Sequence, residues 1–177
     1  MDARQRSTEI KKKQTEILAR LTQGTLHISL YIRSDPPLPN DFHWAFYLHK
    51  GTNSIPGGIK YHVRGIGGGW IPGHEATTGI FAENFLCVTI QIATIPQSAH
   101  ERVGEIMKSY DESLNSMPGI TCRVWLLQVL RNLVEEGFVH CDVEELERDC
   151  LELGNQHSIS ASANEQPRPV VVSRVSL

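Results

Sequence analysis

The 177-residue chain has no run of about 18 consecutive apolar residues, so nothing in it reads as a membrane-spanning helix. Its N-terminus, MDARQRSTEIKKKQTEILARL, is polar and mixed in charge and lacks the apolar segment of a secretory signal. Cysteine is sparse. The four residues Cys87, Cys122, Cys141 and Cys150 show neither a Cys-x-x-Cys pair nor zinc-ribbon spacing, and without an export signal they read as thiols. A reducing compartment follows, and a cytoplasmic protein is expected. No basic field exists in the part expected to fold: the net charge is zero over 25–94 and -7 over 95–154, against +3 over 1–24. That balance argues against nucleic acid as a partner and leaves a small-molecule substrate as the expectation, with no membrane span, no cofactor and the oligomeric state unread.

What is present suits one core, since 40% apolar and 21% charged residues are ordinary for a globular domain of this length. The reading divides the chain into an N-terminal helical extension (1–24), a folded domain (25–154) and a disordered Ser-, Asn- and Pro-rich tail (155–177). The extension carries only Ile10, Ile17 and Leu21 as a thin apolar stripe, which predicts loose docking. Strands are predicted at 26–33, 42–48, 59–66 and 84–93. The second, FHWAFYL, sets Phe42, Trp44, Phe46 and Leu48 on one face and His43, Ala45 and Tyr47 on the other. Between the last two strands, GGGWIPGHEATTG (67–79) reads as a mobile flap carrying Trp70 and His74. Helical periodicity then takes over at 98–115 and 121–137, with a last short helix from Asp142. The expected fold is α+β, a small and mostly antiparallel sheet packed against helices.

A thiolate attacks carbonyl carbon, and a cysteine becomes one most readily at a helix N-terminus beside a histidine. Cys122 follows the breaker Pro118-Gly119 and opens the longest apolar helix, where unpaired N–H groups favour an anion and would donate to an oxyanion. His43 and His62 lie on neighbouring predicted strands, so one imidazole can act as base while the other orients it.

The run His43-Trp44-Ala45-Phe46-Tyr47-Leu48, then Tyr61-His62-Val63, then Thr121-Cys122-Arg123-Val124-Trp125, resembles the lecithin:retinol acyltransferase family. It is similar also to a group of small fungal proteins of unassigned role with HWA, YH and Cys-x-x-Trp in this order. The resemblance covers roughly 26–138. It implies a permuted papain-like fold, with Cys122 as nucleophile, His43 as general base and His62 as the orienting third member. The family's asparagine before the cysteine is Thr121 here, and the loop between the two histidines is longer.

The residues themselves leave three readings open. One is cysteine-dependent acyl transfer or hydrolysis on an ester, thioester or amide. The second is a small-molecule biosynthetic cyclase or isomerase that uses the histidines for proton transfer, and the third is a non-catalytic binding module. Trp70, His74, Tyr47, His49 and Trp125 are candidate substrate-binding residues. A zinc site from His43, His62 and Cys122 is disfavoured because no short-spaced ligand pair anchors it, and no metal is expected. GIGGGW lacks both the GxGxxG register and a following helix, so it is not read as a phosphate loop. Cys87, Cys141 and Cys150 are read as structural.

Overall fold

The computed structural model describes residues 3–51 and 57–176. Helix α1 (Ala3–Ala19) is followed by strands β1 (Thr25–Ile32), β2 (Phe42–His49), β3 (Gly58–Tyr61), β4 (Val63–Ile66), β5 (Gly69–Pro72), β6 (Glu75–Thr77) and β7 (Leu86–Thr94). Helices α2 (His100–Met107), α3 (Cys122–Glu135) and α4 (Val143–Ser162) come next, and β8 (Val170–Val172) closes the chain. The main sheet has six strands in the order β6-β3-β2-β1-β7-β8, antiparallel throughout except for the β7–β8 pair. The expected α+β class with a mostly antiparallel sheet is therefore the observed one. Residues 52–56, within the connection expected between the second and third strands, lie outside the described residues.

Alternation along β2 decides which face packs where. Phe42, Trp44, Phe46 and Leu48 enter the larger core, which they share with Trp125, Leu126, Val129, Leu130 and Leu133 of α3 and with Leu146 and Cys150 of α4. Ala45 and Tyr47 enter a smaller core on the opposite face, closed by Leu18 of α1 and by Ile80 and Phe81. Only Leu18 of α1 is buried, in keeping with its thin stripe. This second face is polar for a covered one, with His27, Ser29 and Thr89 wholly buried.

Four expectations are corrected. The run 59–66 is not one strand: it breaks at His62, so that β3 belongs to the main sheet while β4 pairs with β5 in a separate hairpin. The glycine-rich stretch is not a loose flap, because β5 and β6 form within it and Asn115 clamps Trp70 on both sides. The Trp70 N–H donates to Asn115 Oδ1 (2.8 Å) and Asn115 Nδ2 donates to the Trp70 carbonyl (3.0 Å). The 98–115 helix is short, since beyond Met107 the Ser109 and Ser113 hydroxyls turn back onto the carbonyls of Ile106 and Tyr110.

Fourth, the C-terminal stretch is ordered and not a disordered tail. Residues 155–162 continue α4, and Val170–Val172 add a parallel edge strand to β7. Two arginines hold it. Arg168, only 3% exposed, donates to the carbonyls of Cys87 (2.7 Å), Glu165 and His157, while Arg174 bonds Asp149 at 2.6 and 2.8 Å. A polar composition predicts disorder when it buries little; here β-branched Val170–Val172 extend the sheet, and the buried Arg168 and the Arg174 bonds to buried Asp149 replace apolar area.

Candidate active site

The site forms where β2 loses its neighbour. Strand β3 pairs with β2 from Phe46 to His49 and ends at Tyr61, opposite Phe46, so the first half of β2 has an open edge. The chain turns away at His62, and that residue takes the place beside the edge. His43 Nε2 and His62 Nδ1 lie 2.9 Å apart, with the rings nearly perpendicular at 78°. His43 shares the second sheet face with Tyr31, 5.9 Å away between ring centroids.

Helix α3 reaches the same edge from the other face. The Thr121 hydroxyl accepts from the Val124 N–H at 3.1 Å, so threonine supplies the N-cap that fixes the helix start at Cys122. Cys122 is 5% exposed, and the backbone N–H groups of Trp44, Cys122 and Arg123 favour a negative charge on its sulfur. A cavity of about 450 Å³ is lined by Cys122, His43 and His62 together with Arg33, Arg64, Gly65 and Trp70. The three residues singled out in the sequence thus share one cavity, although among the described residues no hydrogen bond joins Cys122 to either imidazole.

The electrostatics overturn one expectation. Burial pushes the Cys122 thiol above its ordinary value, outweighing the Trp44 N–H and the Arg33 charge, so the helix end does not produce a resting thiolate. Both imidazoles move the opposite way, to about 4, through burial first and then the Lys60 ammonium. The resting site therefore holds a neutral thiol and two neutral imidazoles at pH 7.

His62 is held from behind. Its backbone N–H donates to His74 Nδ1 (3.1 Å), which puts the proton of that ring on Nε2, aimed at Asp111 Oδ1 at 3.0 Å. Gly73 donates its N–H to the His62 carbonyl (2.8 Å), and a Cβ there would come within 2.7 Å of His62 Nε2. Glycine is required by that approach.

The remaining candidates divide. Trp70 lines the cavity; His74 stands behind His62 as a support; Trp125 is wholly buried between Phe46 and His74 and does not reach the cavity. Tyr47 and His49 are bonded to one another (3.0 Å) at the far end of β2, away from the cavity. Sequence reading missed Arg33, Arg64, Asp111 and Asn115. Arg64 alone had a usable signal, two residues after His62 in an alternating run.

Residues 23–153 match a family of unknown function, DUF6914. The chain belongs to this family. No curated protein and no solved structure matches it. The DUF6914 match contains Cys122, His43, His62, His74 and Asp111, and it stops before the end of α4 and before β8.

Proposed function

We propose that the protein is a cysteine-dependent acyl transferase or hydrolase acting on an ester, thioester or amide of a small molecule. One observation carries this reading: Cys122, at a capped helix N-terminus, lines a cavity with two imidazoles that are bonded to each other. The order of these residues along the chain, and their placement on strands followed by a helix, is also what a permuted papain-like enzyme would have.

The histidine bond defines roles. With His43 protonated at Nε2 and donating to His62 Nδ1, the Nδ1 lone pair of His43 is left to take a proton. Cys122 Sγ attacks the acyl carbon as its proton passes to His43, and the carbonyl π electrons move to oxygen, where the N–H groups at the α3 terminus stabilise the oxyanion. Collapse expels the leaving group, which takes the proton from His43, and leaves a thioester on Cys122. Water or an acceptor then attacks that thioester, again deprotonated by His43, and the thiol returns. Because the resting thiol is neutral, proton transfer accompanies attack rather than preceding it.

The experiment is acylation by p-nitrophenyl acetate followed by intact-mass and peptide analysis. An acetyl group on Cys122, absent in Cys122→Ser and formed more slowly in His43→Ala, is the expected result. A neutral pair with no thiol–imidazole hydrogen bond also suits the second reading, a cyclase or isomerase that moves protons through His43 and His62 alone. Failure of Cys122 to acylate, or equal turnover in Cys122→Ala, would shift the assignment to that chemistry.

A further inference from the structure

The lining of the cavity is cationic. Arg33 and Arg64 both line it, one from the end of β1 and one from β4, with Trp70 beside them. The nearby carboxylates are already engaged: Asp41 with Arg33 (3.3 Å), Glu75 and Glu83 with Lys60 (3.1 and 2.8 Å), Asp111 with His74. Arg64 is exposed, and among the described residues its guanidinium has neither an ion-pair nor a hydrogen-bond partner. The Arg33–Asp41 pair is open to solvent and weakly held, so Arg33 is free to exchange partners.

An unpaired guanidinium and a second, weakly paired one on the lining of a cavity, with no free carboxylate among the described residues beside them, make a receptor for an oxyanion, which guanidinium binds in bidentate fashion. Resting on the assignment of Cys122 as nucleophile, we infer that the acyl donor or acceptor is anionic, bearing a carboxylate or phosphate group that Arg64 and Arg33 grip while the apolar remainder lies against Trp70. The cavity would then favour anionic acyl groups over neutral ones of the same size, while still admitting a small neutral group such as acetyl. The bonds from Asn115 hold the Trp70 backbone on both sides, which anchors the aromatic residue against which that remainder lies.

The test compares iodoacetate with iodoacetamide, two alkylating agents of nearly equal size that differ in charge. At pH 8.5 both site imidazoles are uncharged, so the arginines and Lys60 supply the positive field. Labelling of Cys122, located by peptide mass, should show an iodoacetate-to-iodoacetamide rate ratio about three- to tenfold above that of N-acetylcysteine at low salt. The ratio should fall toward the free-thiol value in Arg64→Gln and in Arg33→Gln, and with added 0.5 M sodium chloride. Inorganic phosphate or acetate should slow iodoacetamide labelling of the wild-type chain, and the better protector identifies the group bound. Labelling of Cys122 at the free-thiol ratio, unchanged in both variants and unprotected by either anion, overturns the anionic assignment while leaving the nucleophile standing. Absence of labelling by either reagent overturns both. Thermal unfolding of Arg64→Gln at the wild-type temperature confirms that the ratio reports charge, and a fall in that temperature moves the comparison to Arg64→Lys, which must restore the ratio.

Discussion

Lowering the pH should unfold this protein through its buried histidines, and His27 offers the cleanest measurement. It is the third residue of β1, opposite Tyr47 and Gln91, wholly buried, and neither ring nitrogen completes a hydrogen bond. Burial holds its pKa at about 4 against an ordinary 6.5, despite the nearby backbone of Tyr47 and Thr25. The unfolded chain therefore takes up a proton near pH 6.5 that the folded chain refuses until about pH 4. Stability is complete above pH 6.5 and is lost as the pH falls toward 4, by about 3 kcal/mol at about 1.4 kcal/mol for each pH unit. That is a large share of the 5–15 kcal/mol typical of a domain.

The perturbation is His27→Leu, which removes the titration and the unpaired nitrogens together. Urea unfolding followed by circular dichroism at pH 7, 6, 5 and 4.5 should show the wild type losing stability steeply. The variant should lose about 2–3 kcal/mol less over that range and gain about 1 kcal/mol at pH 7, where an unsatisfied buried polar group is gone. His43 and His62 titrate in both proteins, as do the carboxylates, so the difference between the two curves isolates His27. Parallel curves would refute the reasoning and mean that the imidazole is protonated, or hydrated, in the folded chain.

Two further outcomes concern the placement of the site. Thr121→Ala removes the α3 cap and should cost about 1 kcal/mol in chemical denaturation while slowing Cys122 alkylation; Thr121→Asn, which caps equally well, should restore both. His74→Leu keeps packing against Tyr61 and Trp125 but leaves the His62 N–H without its acceptor. It should cost about 1–3 kcal/mol and shift the imidazole nitrogen resonances of His62, whereas Asp111→Asn, whose side-chain oxygen still accepts from His74, should leave those resonances near their wild-type positions. Unmoved His62 resonances in His74→Leu would show that the backbone bond does not position the ring.

The sheet and α3 were legible because their apolar patterns are strong: FHWAFYL is aromatic and β-forming with large apolar residues at every second position, and α3 carries an unbroken stripe from Trp125 to Leu133. The pairing of His43 with His62 was legible in outline, since adjacent strands of aromatic and histidine composition bring their residues together. The break at His62 was not, because IKYHVRGI has β-forming residues on both sides and no glycine or proline at the turning point. Its cause is tertiary, in the bonds from Gly73 and His74. The ordered C-terminus escaped for a similar reason: Arg168 finds its acceptors on β7 and α4, and such long-range polar bonds leave no periodicity to read. The raised thiol was missed because helix-terminal stabilisation is visible in a sequence and burial at 5% exposure is not.

The break at His62 is what makes a site possible at all. Had 59–66 continued as one strand, it would have paired with the whole of β2, and the Trp44 N–H near Cys122 would have been consumed in the ladder. Because the chain departs after Tyr61, that N–H stays beside the sulfur, His62 occupies the vacated edge, and β4 carries Arg64 to the cavity lining. One interruption thus sets two bonded imidazoles, an N–H donor and two arginines around a single thiol. The neutral resting state fits this arrangement: burial disfavours an isolated thiolate and, ahead of the Lys60 and Arg33 charges, also holds the His43 pKa down, and an anionic ligand beside Arg33 would offset that positive charge. Ligand binding would therefore raise the basicity of His43 as it delivers the acyl carbon, so the base gains strength when there is something to attack.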